Sequence, residues 1–320
     1  MSYKRLLLHC IHLLIALIQC NPGVEMKVAI VGYGNLGKSL EKEVESRQDM
    51  TLTAIYSRRN LDNAKYRPLK NIGSSCDFDV ALLALGSYSE ITEYAHLFAK
   101  LDTVDSFDTH AKIAEYKREL NSAKRNNLSI VSTGWDPGLL SIARGVFSIG
   151  GAESVTLWGE GVSQGHSNAI RNIRGVIDAV QFTCPKPNAE QDIKGGERDG
   201  AKLHDRICYV ACVSTDKERV EQEIVNMPYY FKDYDTKVIF TSPQQVRELK
   251  NRTAHRGQVF SIGQGFCVKT DVQLDCNTDY TAKIMLHYAK AIPMLKADGY
   301  RGALDVYDIP LRYLADTKLI

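Results

Sequence analysis

Three glycines, Gly32, Gly34 and Gly37, form a G-x-G-x-x-G spacing between an apolar run from Met26 to Val31 and a helical stretch. The spacing suits a dinucleotide. The first glycine permits a tight turn, the second lets backbone approach a pyrophosphate, and the third lets helix settle on strand. A second strand ends in Ser57-Arg58-Arg59, where an NAD site would carry an acid for the ribose 2′-hydroxyl. An acid would repel a 2′-phosphate, whereas arginine grips one with paired charge-assisted hydrogen bonds. The cofactor that fits is NADP. The competing reading is a turn that merely needs positive φ, beside a solvated arginine pair.

Further along, Trp135-Asp136-Pro137-Gly138 follows a strand and falls beside the expected nicotinamide position. An aspartate there suits a substrate ammonium while the tryptophan walls the site; an Asx turn with a packed aromatic fits the same residues. Trp158-Gly159-Glu160-Gly161 and Ser163-Gln164-Gly165-His166-Ser167 are donor-rich loops, able to bind a carboxylate through backbone N–H groups or to act simply as turns. Arg206 and His255 are single basic residues beside strands, and alone they read as surface residues. No His, Cys and carboxylate cluster has metal spacing, and no Gly-x-Ser-x-Gly elbow occurs.

These groups need a frame. Residues 79 to 85 (DVALLAL), Thr103 to Phe107 and Leu128 to Ser132 read as buried strands, alternating with helices over Glu90 to Leu101 and Ala111 to Asn126. That alternation predicts an α/β fold, a Rossmann-type doubly wound parallel sheet with its ligand outside the strands' carboxyl ends. Tyr88, Asp108 and Asp136 fall there. Beyond Gly138, runs at Val155 to Trp158, Ala179 to Thr183, Ile207 to Val213, Thr236 to Phe240, Gln258 to Ile262 and Phe266 to Leu274 suggest a mixed or antiparallel sheet. The stretch from Pro185 to Gly200 reads as a charged loop, and Asn277 to Asp298 as a long helix interrupted by Pro293. If that helix packs back on the nucleotide domain, the α+β part is an insertion. The divisions expected are 26–137 for NADP, 138–276 for substrate and dimerisation, and 277–320 for the returning segment.

The chain of 320 residues is 44% hydrophobic and 24% charged, ordinary for a globular protein of two domains. Its net charge of +2 gives no reason to invoke nucleic acid or a membrane surface. The eight cysteines include no C-x-x-C pair; Cys208 and Cys212 would share a strand face as reduced thiols. Residues 1–25 stand apart. Lys4 and Arg5 precede a mostly apolar run, Leu6 to Ile18, that is short for a membrane span and lacks an A-x-A-like cleavage site. The expectation is that Met26 is the real start, that the extension comes from upstream translation, and that the protein is cytoplasmic.

Taken together, VAIVGYGNLGKSLEK, YSRR, DSFDTH, VSTGWDPGLLSI, LWGEGVSQGHSNAIR, GVIDAVQFT, MPYYF and LDCNTDYTA resemble meso-diaminopimelate D-dehydrogenase, collinearly from Met26 onward. The resemblance implies a homodimeric, NADP-dependent enzyme of lysine and diaminopimelate biosynthesis. It would convert meso-2,6-diaminopimelate, water and NADP to L-2-amino-6-oxopimelate, ammonia and NADPH, at the D centre only. It implies cofactor contacts at Gly32, Tyr33, Gly34, Asn35, Leu36 and Gly37, and at Ser57, Arg58 and Arg59. Others fall on Tyr88, Ser89, Glu90 and Ile91, and on Pro137, Gly138, Leu139, Leu140 and Ser141. The reacting D end would meet Asp108, Trp135, Asp136, Trp158, Ser163, Gln164 and Gly165; the distant L end would meet Thr183, Arg206, His255 and Asn277. Asp108 and Asp136 are the catalytic candidates, as carboxylates that orient the ammonium, with the identity of any general base left open. One departure stands out: the family tends to have glycine after the histidine at 255, and this chain has Arg256. The alternatives are another NADP-linked imine or amino-acid oxidoreductase, such as a dihydrodipicolinate reductase-like protein, and a non-catalytic NADP-sensing module.

Overall fold

A computed structural model describes residues 25–73, 77–86, 90–98, 100–109, 112–123, 126–252 and 254–315. Apart from Glu25, the expected N-terminal extension lies outside the described residues, as do Tyr88 and Ser89. The first unit is β1 (Met26–Val31), α1 (Asn35–Glu45), β2 (Met50–Ser57), β3 (Tyr66–Pro68), β4 (Val80–Leu83), the short helix α2 (Glu90–Glu93), β5 (Thr103–Asp105), α3 (Ile113–Ala123) and β6 (Leu128–Ile130). Next come α4 (Leu139–Ser148), β7 (Glu153–Trp158), β8 (Gly161–Val162), α5 (Gln164–Arg171), β9 (Val176–Pro185), α6 (Ala189–Lys194), α7 (Gly200–Leu203) and β10 (His204–Cys212). The chain continues through α8 (Lys217–Val225), β11 (Asp235–Phe240), α9 (Pro243–Lys250), β12 (His255–Gly263), β13 (Phe266–Leu274), α10 (Asn277–Ala297) and β14 (Gly302–Leu304).

Seven parallel strands in the order β14-β6-β5-β4-β1-β2-β3 make the first sheet. Continuous apolar runs in β1 and β4 are buried on both faces, as a parallel sheet between helices requires. The expected Rossmann-type sheet is present, and β14 extends its edge. The second part holds two sheets rather than one. In β11-β10-β9-β8, only the β10–β11 pair is parallel; β13-β12-β7 is antiparallel throughout. Cys208 is buried in β10 with Val210, and Cys212 packs against the same cluster as a free thiol.

Local readings gave way to packing in three places. The helix expected over Glu90 to Leu101 is only α2 followed by a 3₁₀ turn at Ala95–Phe98; that tighter winding buries Phe98 and Leu101 with Ile91 under the sheet. The loop expected at 185–200 contains α6, which buries Ala189 and Ile193. Helix α10 runs unbroken through Pro293, because Ala282, Met285, Leu286, Ala289, Ile292 and Leu295 form one buried stripe against the seven-stranded sheet. That stripe anchors the end of the chain to its beginning. Leu286→Ala should cost about 2–5 kcal/mol of unfolding free energy, measured by urea denaturation; a loss below 1 kcal/mol would contradict the packing role.

Candidate functional site

A cleft of about 1160 Å³ opens between the carboxyl ends of the parallel strands and the second part of the chain. One stretch of its lining is the loop from Gly32 to Leu36 with Ser57, Arg58 and Arg59. A Cβ at Gly32 would stand 2.5 Å from the Ala84 carbonyl oxygen, and one at Gly37 would overlap the Gly32 carbonyl. At Gly34 a Cβ would meet nothing. The two outer glycines are thus demanded by the turn, while the middle one leaves backbone open to the cleft, a cradle that fits a pyrophosphate. Arg59 donates through its backbone N–H to Ser57 Oγ at 3.1 Å and through Nη2 to the Tyr33 carbonyl at 2.7 Å, so its guanidinium is held over the glycine loop. Tyr33 donates its hydroxyl to Glu41, which pushes that hydroxyl up to about 12.

The turn after β6 crosses to the second part of the cleft. Its compactness rests on Gly138, at φ 134°, where a Cβ would overlap the Gly134 backbone. Trp135, Asp136 and Pro137 line the cleft. Gly138, Leu139, Leu140 and Ser141 lie outside the lining. Ser141 Oγ instead accepts from the Gly138 N–H at 3.1 Å and holds the start of α4. Ile91, expected at the cofactor, is buried in the core beneath the sheet.

The two candidate carboxylates differ sharply. Asp108 is exposed in the cleft, and its oxygens lie against Gly165, whose Cβ position would be 3.2 Å from Oδ2. The Asp136 side chain has no solvent exposure. Its Oδ1 accepts from Arg144 Nη2 at 2.5 Å, and its Oδ2 accepts from the Trp158 indole Nε1. Trp158 is placed in turn by its backbone N–H, which donates to His204 Nε2 at 2.9 Å. The opposite nitrogen of His204 stands 2.8 Å from the Gly200 carbonyl, so Nδ1 carries the proton and the ring is neutral. Burial pushes His204 down to about 4.

Ser163 caps α5, and with Gln164 and Gly165 it lines the cleft beside Asp108. Across β9 and β10, Arg206 and Thr183 are register partners, and the Arg206 guanidinium donates to Thr183 Oγ1. Arg206 is only 5% exposed; its Nε has no partner, and the Tyr234 ring lies 4.1 Å from its Cζ. No carboxylate pairs with it among the described residues. A buried guanidinium with an orphan N–H beside a cleft is a ready site for an incoming carboxylate. The His255 ring lies tilted against Trp135 with centroids 4.9 Å apart, and burial pulls it below the ordinary histidine value. Its ring occupies the space that a Cβ at Gly161 would need. Strand alternation sends Arg256 outward, where its Nε pairs with Asp271 at 2.9 Å. The departure from the family pattern therefore leaves His255 facing the cleft. Asn277 joins it from the first turn of α10. Arg144, His204 and Tyr234 were not among the residues picked from the sequence. The one local signal was the i, i+3 spacing of Ser141 and Arg144, which bond at 2.9 Å on one face of α4.

Residues 134–279 match the family model for the diaminopimelic acid dehydrogenase C-terminal domain. The chain is 38% identical over 319 residues to meso-diaminopimelate D-dehydrogenase of Acetivibrio thermocellus, covering 91% of this chain and 94% of that one. It is 38% identical over 310 residues to the Corynebacterium glutamicum protein of the same name, covering 92% and 97%. Among solved structures, C. glutamicum DAP dehydrogenase in complex with DAP superposes with a TM-score of 0.85 at 36% identity, over 92% of this chain and 97% of that one. An engineered D-amino acid dehydrogenase bound to NADP+ superposes with a TM-score of 0.84 at 34% identity, over 92% and 98%.

The depressed His204 has a consequence for stability. Between about pH 6.5 and about 4 the unfolded chain takes up a proton that folded His204 refuses. Its contribution is complete above that window and falls with pH through it, by up to about 3 kcal/mol. Urea unfolding at about pH 7 and about pH 4.5 should show His204→Gln losing less on acidification than the wild type; an equal loss would refute the assignment.

Proposed function

Because the chain belongs to the meso-diaminopimelate D-dehydrogenase family, we propose that it deaminates the D centre of meso-2,6-diaminopimelate oxidatively and reversibly, with NADP, to L-2-amino-6-oxopimelate and ammonia. The observation that carries this reading is the buried, carboxylate-less Arg206 in the same cleft as Asp108, Asp136 and the open glycine cradle. A substrate with two ammonium and two carboxylate groups needs both signs in one cavity. Arg206 with Thr183 forks the distal carboxylate, and His255 and Asn277 complete that end. Asp108 meets the reacting ammonium, with Ser163, Gln164 and Gly165 close by, while Trp135 and Trp158 wall the chamber. When bound, NADP supplies the acceptor at its nicotinamide C4. Since the two centres differ only in handedness, holding the L end leaves only the D hydrogen facing that acceptor.

The glycine loop, Ser57, Arg58 and Arg59 hold the nucleotide, with Tyr88, Ser89, Glu90 and Pro137 as the remaining cofactor contacts. The same reading assigns 26–137 to NADP, 138–276 to substrate and dimerisation, and 277–320 to the return segment. A homodimer has support in exposed Val146 on α4 and exposed Ile149 just beyond its end, where exposed Phe266 of β13 lies against the neighbouring Gly150. A cytoplasmic setting accords with free cysteines and with the finding that, among the described residues, no helix is long and apolar enough to cross a membrane.

NADPH formation should be observed with the meso isomer, be absent with the LL isomer and be slight with NAD; equal rates with LL and meso substrate would overturn the reading. Arg206→Ala should raise KM for diaminopimelate on the order of ten- to a hundredfold with a smaller change in kcat, whereas Asp136→Ala should lower kcat on the order of a hundredfold. Steady-state kinetics of the two variants separates these roles, and matching profiles would refute them.

A further inference from the structure

We propose that Arg144 is the resident counter-ion of Asp136, cancelling its charge so that the reacting nitrogen of the substrate can bind at Asp108 and still shed its proton. The inference rests on the reading above and adds a residue outside it. Amine oxidation requires the free amine, but a site that attracts an ammonium by negative charge also holds it protonated. Asp108 and Asp136 together would place two negative charges at one end of the cleft. One is exposed there; the other has no solvent exposure and would be a buried, uncompensated carboxylate without a partner.

The guanidinium of Arg144 is built into that position from three elements. Nη2 meets Asp136 Oδ1 at 2.5 Å and Ser141 Oγ at 2.9 Å, and Nη1 donates to Thr156 Oγ1 on β7 at 2.7 Å. Its side chain is 21% exposed, and Asp136 is its ionic partner. Trp158 Nε1 caps the second carboxylate oxygen without adding charge. The other titratable groups around the pair are His255 tilted against Trp135, His204 behind Trp158, Tyr307 donating to the Ser141 carbonyl, and Arg206 in the shared cleft. Neither histidine supplies a compensating positive charge near neutrality, because burial lowers both. With Arg144 in place, Asp136 adds no net charge beside the ammonium, and Asp108 is the carboxylate left to meet it. The proton is then lost from substrate nitrogen to water in the cleft, leaving the neutral amine.

The test compares Arg144→Met and Arg144→Lys with wild type, each checked for fold by circular dichroism. In the oxidative direction, the alkaline-rising limb of the kcat pH profile should move upward by on the order of one pH unit in Arg144→Met. It should stay in place in Arg144→Lys, which keeps the charge while losing the fork, and added guanidinium should move the Met variant's limb back. Calorimetric titration of meso-diaminopimelate in buffers of different ionisation enthalpy should show fewer protons released on binding to Arg144→Met than to wild type. A limb that stays put or moves down in Arg144→Met, with unchanged proton release, would overturn the proposal. Inactivity of the wild type with meso-diaminopimelate would instead overturn the functional reading beneath it.

Discussion

The site is organised around a carboxylate with no access to water. Asp136 lies on the compact turn after β6, and each of its oxygens is claimed by a group from a different element: Arg144 from α4 and Trp158 from β7. A buried charge is tolerated only when paired and hydrogen-bonded, so these partners must stay in place for the turn to exist. The turn in turn brings Trp135 against His255, and Trp158 against His204. The floor of the cleft thus inherits its shape from one ion pair.

Much of the nucleotide half was legible in the residues because its demands are local. Gly32 and Gly37 have no room for a Cβ, Gly34 keeps backbone bare, and Arg59 needs only the neighbouring turn to reach Tyr33. Asp108, Asp136, Trp158 and Arg206 could be picked out by strand ends and by family likeness. Their different environments could not: exposure for Asp108, enclosure for Asp136 and the missing partner of Arg206 follow from tertiary packing. Arg144 offered only its i, i+3 spacing from Ser141, since Thr156 and Asp136 reach it through contacts between elements.

Where local rules erred, a stronger term outweighed them. Pro293 removes a helical hydrogen bond, yet the buried stripe from Ala282 to Leu295 carries α10 through it. Gly145 weakens α4 as an isolated helix, but it opens the space that the Tyr307 ring fills. Arg256 breaks the family pattern without disturbing the cleft, because strand alternation points it at Asp271.

The helix that returns to the first sheet also makes the substrate-binding part a body tethered at both ends. The chain leaves the parallel sheet at Asp136 to Gly138 and rejoins it at Asn277. A body held at two points turns about the line that joins them. Residues near that axis travel least in any swing, and Asp136 and Asn277 stand close to it along the chain. Asp136 and Asn277 therefore belong to the two tethers that join the parts, whereas Arg206 and Thr183 are carried by the tethered body alone.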